Sequence, residues 1–301
     1  MGEGPGATTG YAVIAHPLEL NLWSLNRDFA RIPGAIVHDD PDLLWYCVPA
    51  TNSWLNGASR CDLGADAEAV IRKAVKVWHE LGVAAMWHQT PTSSPSGLAE
   101  ILARVGFTPD VQPGMAMALD RRLEDPPPDL VIGAVSDEAG VLEWVNTFDL
   151  AIGVEPRGDR HPWLAAFAAL YLGDAAPGRL IVGHVDGVAV ATSLAFVGAG
   201  AVGIYGVGTI PERRGRGYGG ALTVAGVEWG RSRGASLAVL EATGLGLPVY
   251  RRLGFATVFE TTSWIRPADT VSQDKRTAVD QGASISWLVA SRRSLPRQRR
   301  S

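Results

Sequence analysis

The segment from Gly203 to Gly220, GIYGVGTIPERRGRGYGG, constrains the fold of this chain more than any other. An apolar stretch typical of a strand precedes a proline, clustered arginines and four glycines in six residues. A helix is predicted directly afterwards, from Ala221 to Arg233. Glycines leave backbone N–H groups accessible, and a helix N-terminus adds partial positive charge. This order of elements predicts a phosphate or pyrophosphate site, and hence a nucleotide-containing cofactor.

Composition limits the classes of protein that this chain can belong to. Its 301 residues fit two domains or one large one, and 47% hydrophobic residues can fill sizeable cores. The net charge of −4 argues against general nucleic-acid binding. Cys47 and Cys61, the only two cysteines, have no metal-ligand spacing. We therefore expect two core thiols, no metal, and a reducing, cytoplasmic location.

An uncharged stretch of 24 residues, 187–210, could be mistaken for a membrane span. Asp186-Gly187 predicts a tight turn before it, and Gly198-Ala199-Gly200 divides it into two short halves. We therefore predict three strands, at about 179–185, 188–197 and 201–208, and no membrane segment. The first residues show neither a signal peptide nor a myristoylation pattern.

Prolines and charges divide the chain into two main parts. The sequence RRLEDPPPDL cannot continue a helix or a central strand, so residues 121–130 are predicted to be a linker. It separates a domain over residues 12–120 from one over 131–267. Residues 1–11 are expected to be flexible, and the polar, arginine-rich tail over 268–301 partly disordered.

The two main parts follow the same plan, like distant copies. Residues 78–90 and 228–243 each read as a helix end, a glycine turn and a buried strand. Each is followed by a short helix that ends in Arg-x-Gly-Phe, at Phe107 and at Phe255. Strands are then predicted over 114–119 and 257–265. The alternation predicts a mixed α/β, or α+β, sheet domain that has been duplicated.

Residues 214–219 fit R-x-x-G-x-G, with Pro211 upstream and YRRLGF, residues 250–255, downstream. This combination resembles the GNAT superfamily of N-acetyltransferases. The motifs lie within residues 131–266, whereas residues 12–120 resemble the family only through the fold pattern. The resemblance implies two GNAT-like domains, each a mixed, mostly antiparallel central sheet flanked by helices.

The resemblance also implies that the loop binds acetyl-CoA. Its amides would hold the pyrophosphate, while the strand before it would diverge from its neighbour and offer main-chain groups to the pantetheine arm and the thioester oxygen. The implied cofactor-binding residues are Val207, Gly208, Thr209, Arg214, Gly215, Arg216, Gly217, Tyr218, Gly219 and Gly220. In the first half, the acidic segment 62–68 stands opposite this loop, so we expect a degenerate copy without the usual cofactor site.

The same glycines also fit G-x-G-x-x-G, the dinucleotide-binding pattern, with Glu241 lying 21 residues after Gly220. A Rossmann-type oxidoreductase that binds NAD(P) therefore stays open as an alternative. Against it, Pro-Glu-Arg-Arg separates the strand from the first glycine, and one further strand–helix–strand passage follows.

Two residues carry the predicted chemistry. Tyr250 occupies the general-acid position of the GNAT pattern, from which a phenol can protonate the departing thiolate. Many members of the family place a glutamate on the strand before the loop, but here Tyr205 is the only titratable group on that strand. Glu241 is therefore the candidate for one end of a proton path, or else a partnered structural acid.

The predicted function is transfer of an acetyl or acyl group from acetyl-CoA to an amine of a small molecule or peptide. Transfer would be direct, within a ternary complex, and a homodimer is compatible with the sequence. Residues 144–173 would form the acceptor pocket, where Asp149, Glu155 and Asp159 could attract a cationic amine. Mycothiol synthases are also tandem GNAT enzymes, so a thiol-precursor amine is one candidate acceptor. A non-catalytic acyl-CoA-binding module is the alternative.

Overall fold

Eleven strands and seven α-helices occupy the part of the chain that the computed structural model describes, residues 16–48, 50, 53–120, 123–156, 158, 161 and 163–268. The strands are β1 (Ile36–Asp40), β2 (Leu43–Cys47), β3 (Gly57–Cys61), β4 (Ala85–Gln89), β5 (Thr108–Ala118), β6 (Val131–Ala134), β7 (Gly178–Val185), β8 (Val188–Gly198), β9 (Ala201–Thr209), β10 (Leu237–Glu241) and β11 (Ala256–Arg266). The helices are α1 (Pro17–Asp28), α2 (Ala67–Leu81), α3 (Leu98–Arg104), α4 (Glu138–Ala151), α5 (Leu164–Tyr171), α6 (Tyr218–Ser232) and α7 (Leu247–Leu253). The flexible N-terminus predicted over 1–11 and the tail from residue 269 lie outside the described residues.

All eleven strands form one sheet, in the order β1-β2-β3-β4-β11-β5-β10-β9-β8-β7-β6. Only the pairs β3–β4 and β9–β10 are parallel, and every other neighbouring pair is antiparallel. Each parallel pair is joined by a helix, α2 in the first half and α6 in the second. The mixed, mostly antiparallel α/β class predicted from the sequence is confirmed, and the two halves repeat one plan.

The halves exchange their last strands. Strand β5, from the first half, lies against β10 of the second half, while β11, from the second half, lies against β4 of the first. Strands β5 and β11 also pair with each other over most of their length. Each half therefore completes the sheet of the other, although they are separated along the chain by the segment from 123 to 130, which has no helix or strand.

The predicted hairpins β7–β8 and β8–β9 are confirmed to within two residues. Asp186-Gly187 and Ala199-Gly200 supply the two turns, and all four residues have positive φ angles between 52° and 78°. Such a pair of left-handed residues matches the twist of a two-residue hairpin. Over the described residues, no helix has both the length and the apolarity that crossing a bilayer requires.

Helix α1 belongs to the first half but packs on strands from both halves, including β3, β8, β9 and β10. Asn21, which is fully buried, joins it to the β8–β9 hairpin. Its amide donates to the carbonyl oxygens of Phe196, Gly198 and Ala201 at 3.3, 3.1 and 3.0 Å. The hydroxyl of Tyr205 donates to Oδ1 of Asn21 at 2.7 Å. One side chain thus fixes α1 to the sheet of the second half.

We expect Asn21→Ala to lower the free energy of unfolding by about 3 kcal/mol, because buried carbonyls and a phenol would lose their partner. Urea denaturation followed by tryptophan fluorescence measures this change. Lys73→Ala on the exposed side of α2 is the matched control and should leave stability unchanged. Equal unfolding midpoints for the two variants would contradict the role given to Asn21.

Candidate active site

Strand β9 separates from β10 halfway along its length. The parallel ladder joins Leu237 to Ala201 and Val239 to Gly203 and extends no further. On the other side of β9, the pairing with β8 shifts register between Thr192 and Leu194. Gly206 has a φ of 54° at this irregularity, and Oγ1 of Thr192 donates to its carbonyl oxygen at 2.9 Å. Residues 204–209 therefore have a backbone edge that β10 does not cover.

The glycine loop leads from this edge into α6. Gly215 and Gly217 adopt φ angles of 75° and 85°, which a side chain would strain. Helix α6 begins at Tyr218 without a side-chain cap, and its first bond runs from the amide of Ala221 to the carbonyl of Gly217. The amides of residues 218–220 thus have no acceptor within the helix. They form a site suited to an anion, as the sequence predicts for this loop.

Two of the loop arginines make contacts that the sequence did not predict. The guanidinium of Arg214 donates to the carbonyl oxygens of Ala151, at 2.7 Å, and Thr209, at 3.2 Å. It therefore ties the end of α4 to the end of β9. Arg216 lies beside the Tyr218 hydroxyl and acts to lower the pKa of that phenol. The assignment of both arginines to a phosphate remains a prediction, and the backbone amides are the better-supported part of the site.

Tyr218 is fixed by the segment between the halves. Its side chain is buried, and its hydroxyl donates to Oδ2 of Asp129. This bond is the main reason that the pKa of the Tyr218 phenol lies above its ordinary value. The sequence analysis read residues 121–130 only as a linker and missed this contact. Asp129 holds the first residue of α6 in place, and with it the amides that face the loop.

Tyr250 lies on α7, beside the start of α6. A side chain placed on Gly220 would approach Cγ1 of Val249, the neighbour of Tyr250, at 3.4 Å. The ring of Tyr250 packs edge-on against Phe255 at 5.9 Å. Burial raises the pKa of its phenol to about 12, so the hydroxyl stays protonated at neutral pH. No other described residue hydrogen-bonds to this hydroxyl, so it has a proton to give.

Glu241 ends β10, at the side where β9 has moved away. Together with Tyr205, it lines a small pocket whose other residues include Leu18 and Leu22 of α1. Its Oε1 is buried without a hydrogen-bond partner among the described residues. A buried carboxylate oxygen of this kind is costly unless a ligand, water or proton satisfies it. The structure thus brings Glu241 and Tyr205 together, but on the side of the sheet that carries α1.

The predicted acceptor segment is more buried than the sequence suggested. Asp149 and His161 form an internal pair, with 3.0 Å between Oδ2 and Nε2. Nδ1 of His161 accepts from the amide of Trp163, so Nε2 carries the hydrogen that points to Asp149. Glu155 is exposed, and Asp159 lies outside the described residues. Asp149 therefore stabilises the α4–α5 connection and is unsuited to meeting an amine from solvent.

Aromatic side chains cover this connection. Trp144, Trp163 and Phe167 are buried in one cluster. Trp54, from the first half, stacks on Trp163 with 5.7 Å between ring centroids and lies 5.2 Å from Phe148. It keeps 43% of its surface exposed. A residue of the first half thus reaches the α4–α5 region.

The first half also has a parallel pair of strands, β3 and β4, but a segment of its own chain occupies the gap where these strands separate. Strands β3 and β4 pair only at Gly57 and Ala58. Beyond that point, the amide and carbonyl of Ser94 bond to the carbonyl of Cys61 and the amide of Leu63. No glycine loop precedes α2, whose N-cap position holds Asp66. The described residues of this half thus lack the glycine loop found before α6.

The topology does not support the dinucleotide-binding alternative. A Rossmann domain needs a doubly wound parallel sheet. Among the described residues of the second half, β9 and β10 form the only parallel pair of strands, and β8 and β5 flank them in antiparallel orientation. The G-x-G-x-x-G match therefore comes from glycines that serve a different fold.

The comparisons with known proteins agree with this topology. The family model "Acetyltransferase (GNAT) domain" matches residues 171–258, which include β9, the glycine loop and α7. A mycothiol acetyltransferase from Saccharomonospora viridis is 37% identical over 102 residues. That match spans 33% of this chain and 33% of the relative, so the chain matches about a third of the relative's length.

Two solved structures share the fold over most of the chain. A GCN5-related N-acetyltransferase from Kribbella flavida superposes with a TM-score of 0.61 at 19% identity, covering 85% of this chain and 97% of the other. A tandem GNAT protein from the clavulanic acid biosynthesis pathway gives a TM-score of 0.52 at 12% identity, covering 84% and 94%. At these identities the likeness concerns the fold alone, whereas the family model matches the sequence itself. Residues 171–258 therefore match the GNAT family of acetyltransferases in sequence, and most of the chain shares the fold of GNAT structures.

Proposed function

We propose that this chain transfers an acetyl or other short acyl group from acetyl-CoA to an amine of a small molecule or peptide. The observation that carries the proposal is the opening between β9 and β10, with uncapped helix amides at one end and a protonated phenol nearby. An opening of this kind offers an extended thioester a backbone edge, an anion site and a proton donor. In this proposal the chain is a tandem protein with its active half at 131–267 and a degenerate half at 12–120.

In this proposal, backbone groups provide most of the contacts to acetyl-CoA. Amides of residues 215–220 would hold the pyrophosphate, while the free edge over Val207, Gly208 and Thr209 would bind the pantetheine arm. A main-chain amide at this edge would donate to the thioester oxygen and stabilise the negative charge that develops there. Gly219 would let the donor come close to the backbone here, because a methyl group at this position would lie 3.3 Å from Oγ1 of Thr209.

Direct transfer to the amine fits the state of the two cysteines. Cys47 and Cys61 are both buried, and burial raises the pKa of each thiol to about 12. A thiol is nucleophilic as its thiolate, so neither is suited to carry an acyl group. We therefore propose a ternary complex, in which the amine attacks the thioester and Tyr250 protonates the leaving thiolate.

The acceptor class is suggested by the curated relative and by the site. Because the relative is a mycothiol acetyltransferase, an amine of a thiol-containing or thiol-precursor metabolite is one candidate for this chain. The partly exposed ring of Trp54, which stacks on Trp163, would suit an acceptor with an apolar part. A screen of primary amines with a free-thiol readout would identify the acceptor.

We expect Gly217→Ala to weaken acetyl-CoA binding at least tenfold, because a left-handed alanine is strained and would reorient the amides at the start of α6. Gly234→Ala is the matched control. Gly234 lies just past the other end of α6, has a φ of 87° and has no atoms crowding a new methyl group. Both variants should lose about 1 kcal/mol of stability. Equal acetyl-CoA affinity in the two, measured by isothermal titration calorimetry, would remove the loop from the donor site.

Tyr250→Phe should lower kcat by about tenfold to a hundredfold and leave acetyl-CoA affinity within twofold, because the leaving thiolate loses its proton donor. The phenol acts while protonated, and its pKa is about 12. The wild-type rate should therefore show no fall caused by Tyr250 between pH 7 and roughly pH 10. Tyr171→Phe, which removes another buried phenol, is the control. An unchanged kcat in Tyr250→Phe would exclude this residue as the general acid.

A non-catalytic acyl-CoA-binding module is the second candidate, and it is favoured by one observation. Strand β9 carries no carboxylate, and a side chain at Gly203 would collide with Asn21 and Tyr205. A module of this kind would bind acetyl-CoA as tightly as an enzyme but release no thiol with any amine. Calorimetry and the thiol assay, run on the same preparation, separate the two functions.

A further inference from the structure

Trp54 is the most exposed tryptophan in the part of the chain that the structure describes, with 43% of its surface open to solvent. It lies in a short 3₁₀ turn of the first half, next to Leu55, which is buried in the core. The buried side chain of Asn56 fixes the chain around this turn. Its Oδ1 accepts from the amide of Val48 at 2.8 Å, and its Nδ2 donates to the carbonyl of Ala50 at 2.7 Å. The exposed ring is therefore held by a well-bonded segment before any ligand binds.

The ring of Trp54 packs on aromatic side chains of the second half. It stacks on Trp163, with an angle of 22° between the ring planes, and its centroid lies 5.2 Å from that of Phe148 on α4. Ile152, one helical turn after Phe148, is 53% exposed, and its amide donates to the carbonyl of Phe148 at 3.1 Å. Two exposed apolar side chains thus adjoin the buried ring of Phe148. Exposed apolar surface of this kind is typical of a binding site.

This apolar surface lies beside the free edge of β9. A side chain placed on Gly208 would have its Cβ 2.7 Å from Cβ of Ala151 and 3.4 Å from Cδ2 of Phe148, so α4 packs directly on this part of the strand. The guanidinium of Arg214 donates to the carbonyl of Ala151 at 2.7 Å and holds this end of α4 in place. Phe148 is therefore the one ring that separates Trp54 from the backbone at Gly208.

Helices α4 and α6 lie on opposite faces of the sheet. On β7, Leu180 and Val182 belong to the core under α4, whereas Ile181 between them belongs to the core under α6. Tyr250 belongs to the same core as Ile181. The proposed anion site and proton donor therefore occupy the face that carries α6, which leaves the face with α4 as the approach for the amine. Trp54 lies on that face.

We propose that Trp54, a residue of the first half, selects acceptors in which the amine carries an aromatic or aliphatic group. This inference rests on the proposed function and names an acceptor class for it, primary amines with an apolar substituent. The substituent packs on the exposed ring, since aromatic rings bind apolar groups by burial and stacking. Asp149 offers no charge to a polar cationic acceptor, because it is buried against His161 at 3.0 Å. Recognition on this face therefore falls to apolar contact.

Kinetics with matched amines test this selection. The apolar probes are 2-phenylethylamine and hexylamine, the polar probe is ethanolamine, and thiol release from acetyl-CoA gives the rate. We expect wild-type kcat/KM to be about tenfold or more higher with the apolar probes than with ethanolamine. Trp54→Ala should lose about tenfold or more with the apolar probes, mainly through KM, and stay within about twofold with ethanolamine, because only the apolar probes contact the ring.

Two further variants separate selection from a structural role. Trp54→Phe keeps an aromatic ring and should retain most of the preference for the apolar probes. Val131→Ala removes another exposed apolar side chain, on the edge strand β6, and should change no rate. Equal losses with apolar and polar probes in Trp54→Ala indicate a structural role and overturn the inference. A wild type that uses all three probes equally, or that uses none of them, also overturns it.

Binding without turnover separates this inference from the proposed function. The chain contains ten tryptophans, which can be labelled as 5-fluorotryptophan and followed by ¹⁹F NMR, with Trp54→Phe assigning the signal. In the presence of CoA, we expect 2-phenylethylamine to shift the Trp54 signal and ethanolamine to leave it unchanged. If the wild type binds no acetyl-CoA in calorimetry, the proposed function fails and the inference fails with it. If it binds acetyl-CoA but the Trp54 signal does not move, the inference alone is overturned.

Discussion

The site depends on the point at which β9 leaves β10. In a regular sheet the two strands would stay paired, and every backbone group between them would be satisfied. Here the parallel ladder ends at Gly203, and the bulge at Gly206 turns the rest of β9 away while it remains paired with β8. Asn21 and Thr192 stabilise this arrangement from the two sides of the strand. The opening is therefore built into the resting fold rather than created by a ligand.

The exchange of β5 and β11 explains why two unequal halves stay together. Strand β10 would be an edge strand without β5, and an unpaired edge is prone to aggregation. The first half fills its own opening around Ser94, yet it supplies α1 and β5. Its contribution to the sheet of the second half is thus structural. The domain boundary at 121–130 remains a prediction, since the sheet continues across it.

Local signals in the sequence predicted much of the fold. Asp186-Gly187 and the glycines around Ala199 gave the hairpins correctly, because two-residue turns depend on local backbone preferences. The strand exchange could not be predicted, since nothing local tells β10 to pair with β5 rather than β11. Strand β5 also begins at Thr108 rather than at residue 114. Pro109 and Pro113 lie in the additional part of β5, beyond the segment that β10 pairs.

The candidate site was predictable in its backbone and less so in its side chains. Glycines with positive φ left a clear pattern, so the loop was predicted, although α6 begins at Tyr218 and not at the predicted Ala221. Contacts of Arg214 and Asp129 depend on segments distant in the sequence, and no spacing rule reports them. Asp149 shows the opposite case, an acid that sequence reasoning assigned to an acceptor but that is buried against His161.

Hydrogen–deuterium exchange tests the central claim, that the opening between β9 and β10 binds an acyl-CoA through backbone groups. Exchange is measured by mass spectrometry with acetyl-CoA, with NADH and without ligand. We predict that acetyl-CoA slows exchange in peptides covering residues 204–220, that peptides from β7 and α2 stay unchanged, and that NADH has no effect. Unchanged exchange over 204–220 at saturating acetyl-CoA, or equal protection by NADH, would contradict the account.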